Sequence, residues 1–135
     1  MPARYLLDTN ICIYIAKRRP PEVLRHFERL QVGDVAMSII TYGELHFGAE
    51  KSQYSVEAHN KLVKLAEFIP ILPMPVKAAG YYGRIRALLE RTGKPIGAND
   101  LWIAAHAMAE NLILVSNNTG EFSRIPDILL ENWAD

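Results

Sequence analysis

The chain has 135 residues, half of them hydrophobic and 22% charged, a size and balance that suit one globular domain and exclude a disordered or fibrous chain. Lys and Arg together number 15, as do Asp and Glu, so no overall positive charge marks the surface for nucleic acid and any such site has to be a local patch. The one cysteine, Cys12, excludes an internal disulfide framework and a thiolate metal site, which fits a reducing compartment.

Arg4 to Leu7 form a short apolar run that ends at Asp8, and Asn10 opens a pattern with Ile11, Tyr14 and Ile15 on one helical face. This predicts strand, turn, helix. Lys17-Arg18-Arg19 ahead of Pro20-Pro21 read as cations on a last helical turn, and Glu22 to Leu30 as a second helix. Gly33-Asp34 signals a turn, Val35 to Met37 a strand, and Ser38 to Lys51 a helix that carries Glu44. Val56 to Phe68 is amphipathic, and Ile69 to Leu72 is a short strand that Pro70 assigns to a sheet edge.

A long helical pattern from Val76 to Arg91 stops at Gly93-Lys94-Pro95, and an Ala-rich helix follows from Ala98 to Glu110. Leu112 to Val115 is the cleanest buried strand, Asn117 to Gly120 a polar turn, and Ile128 to Leu130 a second edge strand. Strands alternating with helices predict an α/β domain over 1–135: a short, mostly parallel central sheet between two helix layers. No apolar run approaches the roughly 20 residues that span a bilayer, and Met1 to Arg4 lead into the first strand without the apolar stretch of a signal peptide. A soluble, cytoplasmic protein without a membrane partner is expected.

Four polar stations stand where apolar runs stop: Asp8, Glu44, Asp100 and the pair Asn117-Asn118. In an open α/β sheet, groups placed just after strands converge in one crevice. Each station also has a local explanation. Asp8 can cap the first helix, although Thr9 and Asn10 could do so equally well, and that redundancy favours a separate task for Asp8. Thr41-Tyr42-Gly43-Glu44 matches a capping box, in which Glu44 would reach back to a backbone N–H. If the helix already begins near Ser38, Glu44 instead shares an apolar stripe with Ile40, Phe47 and Gly48, where an ionised carboxylate needs a cation. Asp100 competes with Asn99 for a cap and shares a face with Ile103, Ala104 and Ala107. Asn118 offers amide hydrogen bonds but no charge, and Glu121 is the nearest carboxylate.

His26, His46, His59 and His106 form no close ligand pair, and the chain lacks the phosphate-cradling glycine loops and the G-x-S-x-G elbow. Carboxylates without histidine or thiolate select Mg²⁺ or Mn²⁺, and Mg²⁺ usually binds through one or two carboxylates plus waters and phosphate oxygens. Arg84, Arg86, Arg91 and Lys94 form a locally basic stretch that can hold a backbone phosphate or serve as a solvated helix face.

Taken together, Leu6-Leu7-Asp8-Thr9-Asn10, Thr41-Tyr42-Gly43-Glu44-Leu45, the run from Pro95 to Ala107, Leu114-Val115-Ser116-Asn117-Asn118 and Glu121-Phe122 resemble the PIN-domain ribonucleases, specifically the VapC toxins of type II toxin-antitoxin modules. The match runs from Tyr5 to Trp133, and the order and spacing of the motifs make the set specific. The resemblance implies a three-layer PIN-like fold and a Mg²⁺- or Mn²⁺-dependent endoribonuclease. Its substrate would be structured RNA, tRNA ahead of rRNA, and a VapB-type antitoxin would hold it inactive.

The resemblance also carries over residue roles. Asp8, Glu44 and Asp100 would be the metal-binding and catalytic acids, with Thr9 the supporting hydroxyl beside the first aspartate. Many PIN domains place a fourth acid near Asn117 or Asn118, where this chain has two amides. Glu121 stands as the substitute, Asn118 as a water-orienting group, and the number of metals stays open. Tyr14, Phe27 and Phe47 are expected to line a groove for the antitoxin or to pack in the core, and a homodimer is expected from the family and from the prevalence of twofold symmetry.

Two other enzyme-like classes fit less well. A haloacid-dehalogenase-like phosphatase needs a second acid two residues after the first, where Asn10 stands, and a receiver domain needs paired acids near its first strand. A non-catalytic RNA- or protein-binding module is the alternative that the amides at Asn117-Asn118 keep open.

Overall fold

The computed structural model describes residues 3–134; the extreme ends of the expected 1–135 domain, including the Met1-Pro2 lead-in, lie outside the described residues. The elements in chain order are β1 (Tyr5–Leu7), α1 (Thr9–Lys17), α2 (Pro21–Glu28), β2 (Val35–Ser38), α3 (Ile39–Glu50) and α4 (Ser55–Phe68). Then come β3 (Ile71–Leu72), α5 (Ala78–Arg91), α6 (Ala98–Ala109), β4 (Ile113–Val115), α7 (Thr119–Phe122) and β5 (Leu130–Glu131). No helix among the described residues is long and apolar enough to cross a membrane.

The five strands lie in the order β3-β2-β1-β4-β5, and every neighbouring pair is parallel. β3 and β5 take the edges, as Pro70 and the weak pattern near Ile128 predict, but both are only two residues long and β5 is displaced to Leu130–Glu131. The chain builds β1, β2 and β3 outward in one direction and then returns to place β4 on the other side of β1. Strand order therefore reverses at β1, and the crevice at its carboxyl end, beside β4, is where such sheets bind ligands.

Alternate residues of the central strands feed two separate cores, which is why these strands read as continuous apolar runs. Leu6, Ala36 and Leu114 face α5, α6 and Phe122, together with Ile85, Leu89, Ile103 and Ala107. Leu7, Val35, Met37 and Val115 face α1, α2 and α4, together with Ile11, Val23, Leu65 and Trp133. These are the two helix layers of a three-layer α/β/α domain. Truncating Leu114, fully buried in the first core, to Ala would cost about 3 kcal/mol. α3 touches both cores, through Ile40 on one side and Tyr42 and Leu45 on the other.

Two local expectations are corrected. The capping-box reading of Thr41 fails because α3 begins earlier: Ser38 is the N-cap, its Oγ accepting from Ile40 N at 3.2 Å, and Thr41 is buried inside the first turns. Both residues satisfy the cap's chemistry, and the end of β2 selects the earlier one. The polar turn expected over Asn117 to Gly120 is partly a short helix, α7, pinned by fully buried Phe122.

Candidate active site

Asp8 follows β1 and caps α1: its Oδ1 accepts from Ile11 N at 3.0 Å, while its own N–H bonds the Val115 carbonyl of β4 at 3.0 Å. The cap and a functional role are thus not exclusive, since capping uses one oxygen. The fully buried Ser116 hydroxyl bonds the Asp8 carboxyl, yet burial outweighs that bond, and Asp8 holds its proton more tightly than an ordinary aspartate. The charge of Glu44 pushes the same way.

Glu44 does not reach back to a backbone N–H. Its Oε1 accepts a short hydrogen bond from Thr9 Oγ1, and its Oε2 accepts from Asn99 Nδ2 at 3.4 Å. Thr41 Oγ1 stands 3.4 Å from Thr9 Oγ1 behind this pair. The apolar-stripe reading also fails, because Phe47, one turn along, is 65% exposed. Asp8 and Thr9 follow β1, Glu44 rides on α3 and Asn99 opens α6, so one carboxylate is held by donors from two other segments.

Asp100 lies in the first turn of α6 but is not its cap; Gly97 is. Desolvation is the largest influence on its carboxyl, followed by the charges of Glu121, Asp8 and Glu44 and a hydrogen bond with Glu121, and together they push its pKa up to about 6. The Thr9–Glu44 and Asn99–Glu44 hydrogen bonds tie Glu44 to the neighbours of Asp8 and Asp100, and the Asn118–Glu121 bond holds Glu121 after β4, so the four carboxylates border one crevice. Among the described residues, no ion pair engages any of the four. A cluster of hard oxygen donors with uncompensated negative charge suits a divalent cation such as Mg²⁺. Among the described residues, no three acidic or histidine side chains close on one point, so the protein alone does not form a full cage and waters or phosphate oxygens would complete the shell.

At the fourth station, Asn118 Nδ2 donates to Glu121 Oε2 at 2.9 Å, holding beside Asp100 the acid that the amide pair lacks. Asn117 turns elsewhere: its Nδ2 donates to Tyr14 Oη at 2.8 Å, and its buried Oδ1 has no partner among the described residues.

The basic stretch divides. Arg84 lies over the Tyr81 ring, and Arg86 pairs with Glu90 while bonding Tyr82 Oη at 2.8 Å, so both are engaged on the surface of α5. Arg91 and Lys94 are exposed, and Arg124, which the sequence reading missed, bonds the Pro95 carbonyl beside them at 3.1 Å. Asn99, Thr41 and Ser116 also border the site, and local sequence alone reads each as a cap or a strand end.

Of the three aromatic residues expected in a groove, Phe27 lines a cavity of about 470 Å³ with Ile15, Leu24, Leu65 and Phe68, between α1, α2 and α4. A second, about 760 Å³, runs over Ile13, Ala16, Leu45 and Leu62 to Glu44. Tyr14 lines a smaller hollow with Ile13 and Pro20, and Phe47 lies outside all three, under the Lys51 ammonium.

Comparison with known proteins places the chain in a family. The PIN domain family matches residues 5–128. Ribonuclease VapC2 of Haemophilus influenzae is 46% identical over 97% of this chain and 98% of its own length. The tRNA(fMet)-specific endonuclease VapC of Shigella flexneri is 40% identical over 97% and 98%. The crystal structure of VapBC2 from Rickettsia felis bound to a DNA fragment from its promoter matches 96% of this chain and 98% of that one, at 42% identity and a TM-score of 0.89. With a family model over most of its length and near-full-length relatives in agreement, this chain belongs to the PIN-domain family, among the VapC ribonucleases.

Proposed function

We propose that residues 1–135 act as one PIN-domain endoribonuclease, the toxin of a VapBC-type toxin-antitoxin module. It hydrolyses phosphodiester bonds in structured RNA with Mg²⁺, or Mn²⁺ in its place, and so inhibits translation in the cytoplasm. The observation that carries this reading is the convergence of Asp8, Glu44, Asp100 and Glu121 with no cationic partner among the described residues. A tRNA substrate is favoured over rRNA because the Shigella flexneri relative is named for tRNA(fMet).

Asp8 and Asp100 would hold the metal, with Glu44 and Glu121 completing its negative surroundings. A bound Mg²⁺ supplies charge stabilisation at the scissile phosphate and acidifies a water for attack. Glu44, fixed by Thr9 and Asn99, would orient the attacking water and accept its proton. Asn118 holds Glu121 in place. Arg91 and Lys94 grip flanking phosphates, with Arg84, Arg86 and Arg124 secondary because their guanidinium groups already have partners, on α5 or at the Pro95 carbonyl.

Neutralisation by a VapB-type antitoxin is supported by the VapBC complex among the similar structures and by the two apolar grooves, the second of which ends at Glu44. An amphipathic segment seated in the second groove would lie against Glu44 at the edge of the acidic crevice. A homodimer is the expected free state, and co-expression with the neighbouring open reading frame followed by size-exclusion chromatography tests both assemblies.

The test of activity is cleavage of labelled total tRNA by the purified chain in Mg²⁺ or Mn²⁺, beside EDTA and Asp8→Ala controls. Discrete products that vanish in both controls are expected. Intact tRNA and rRNA after incubation with folded, antitoxin-free, metal-replete protein would overturn the reading in favour of a non-catalytic RNA- or protein-binding module.

A further inference from the structure

A second polar pair lies beneath the carboxylates, and no residue of the proposed chemistry belongs to it. His106 on α6 is 1% exposed, Ser38 at the end of β2 is fully buried, and His106 Nδ1 lies 2.9 Å from Ser38 Oγ. An imidazole buried this deeply loses its hydration, and burial shifts it toward the neutral form. Such a group is retained at a cost unless its hydrogen bond does something that an apolar side chain cannot.

What the bond does follows from its partner. Ser38 Oγ already accepts from Ile40 N, the cap that starts α3, so its single proton is free to go to His106 Nδ1. That arrangement fixes the hydroxyl rotamer, the cap and the imidazole tautomer together. The register of β1 and β2 pairs Leu6 with Ala36, and continuing it by two residues sets Ser38 level with Asp8. His106 itself is six residues along α6 from Asp100, and Ser38 is six residues before Glu44. One buried hydrogen bond therefore joins the helix of Asp100 to the start of the helix of Glu44, at the level of Asp8.

We propose that His106 is a positioning residue of the ribonuclease site: through Ser38 it sets where α3 begins and so where Glu44 stands relative to Asp8 and Asp100. This rests on the proposed role of those carboxylates. Its 1% exposure keeps the imidazole away from substrate, so its effect reaches the reaction only through the geometry of the acids. A supporting partner of this kind commonly changes metal affinity or activity by about tenfold or more.

The experiment compares parent, His106→Leu, His106→Asn and Ser38→Ala, each checked for folding by circular dichroism. Leu keeps the apolar volume and removes the acceptor, whereas Asn puts a carbonyl oxygen close to the place of Nδ1. Mn²⁺ affinity is read by electron paramagnetic resonance, tRNA cleavage by kcat and KM, and the cap by hydrogen exchange of the Ile40 amide. The expected result is about tenfold weaker Mn²⁺ binding and lower kcat in His106→Leu and Ser38→Ala. KM should stay near the parent's, Ile40 exchange should quicken, and His106→Asn should recover most of the loss. The two changes combined should cost little more than one, because they break the same bond. Leu and Ala variants with the parent's Mn²⁺ affinity, kcat and Ile40 protection would overturn the proposal and leave His106 a packing residue. A parent that neither binds Mn²⁺ nor cuts RNA would instead refute the reading of the carboxylates, and the Ile40 exchange rates would still decide whether His106 governs the cap. If His106→Leu does not fold, Ser38→Ala and His106→Asn carry the same test.

Discussion

Replacing Asp100 by Asn should stabilise the metal-free protein at neutral pH while abolishing its activity. Burial and the neighbouring charges of Glu121, Asp8 and Glu44 raise this carboxyl from 3.8 to about 6. The folded protein therefore binds the Asp100 proton more tightly than the unfolded chain does, and ionisation penalises the folded state. The penalty is absent below about pH 4, grows between about 4 and 6, and is complete above. Its full-burial value is ~3 kcal/mol, but Asp100 is only partly buried, and screening reduces it to about 1 kcal/mol. In a domain of this size that corresponds to about 3 °C in Tm. Thermal unfolding with EDTA should show Asp100→Asn melting higher than the parent at pH 7.5, with the advantage shrinking toward pH 4.5. Millimolar Mg²⁺ should raise the Tm of the parent and leave that of the variant nearly unchanged, because only the parent binds the ion well. An Asn variant no more stable than the parent at pH 7.5, or an advantage independent of pH, would refute the electrostatic account of the crevice.

Glu121→Gln removes the largest charge acting on Asp100, so the Asp100 pKa should fall and the acid limb of the cleavage pH profile should move to lower pH, as measured by single-turnover rates. Thr9→Val deletes the donor to Glu44 Oε1 and should lower kcat by roughly tenfold with little change in RNA affinity, a split that steady-state kinetics resolves. Replacing Arg91 and Lys94 together by Gln should weaken RNA binding and flatten its salt dependence, whereas Arg86→Gln, which loses contacts made mainly to Glu90 and Tyr82, should change binding far less; filter binding over a range of NaCl concentrations tests both. Phe27→Asp places a charge in the apolar cavity between α1, α2 and α4 and should abolish capture of the antitoxin in co-purification while tRNA cleavage persists.

Much of this architecture was legible because each strand that matters ends in a residue with a chemical reason to be there. β1, β2 and β4 are short apolar runs, and the polar groups that follow them mark the crevice. Asp8, Glu44 and Asp100 could be singled out because a carboxylate where an apolar run stops needs an explanation, and Glu121 because it is the carboxylate nearest the amide pair. What could not be read were pairings across the sheet. Glu44 looked like half of a capping box because its local sequence cannot reveal that Thr9, 35 residues away, and Asn99, 55 residues away, hold its oxygens. Ser38 and Thr41 are equally good caps on paper, and only the end of β2 and the approach of His106 separate them. His106, read as one more histidine without a ligand partner, finds Ser38 at a separation of 68 residues. Phe47 carries the helical spacing of a core residue and is nonetheless exposed, because α3 makes its core contacts through Ile40 on one side and Tyr42 and Leu45 on the other.

The proposed ribonuclease activity rests on these carboxylates binding a divalent ion. Titrating Mn²⁺ into the parent, Asp8→Asn and Asp100→Asn, with tRNA cleavage followed in the same samples, tests it most directly. The parent should bind Mn²⁺ and cut in proportion to its occupancy, and each variant should lose both together. Cleavage by the parent that survives EDTA, or undiminished Mn²⁺ binding in both variants, would contradict it.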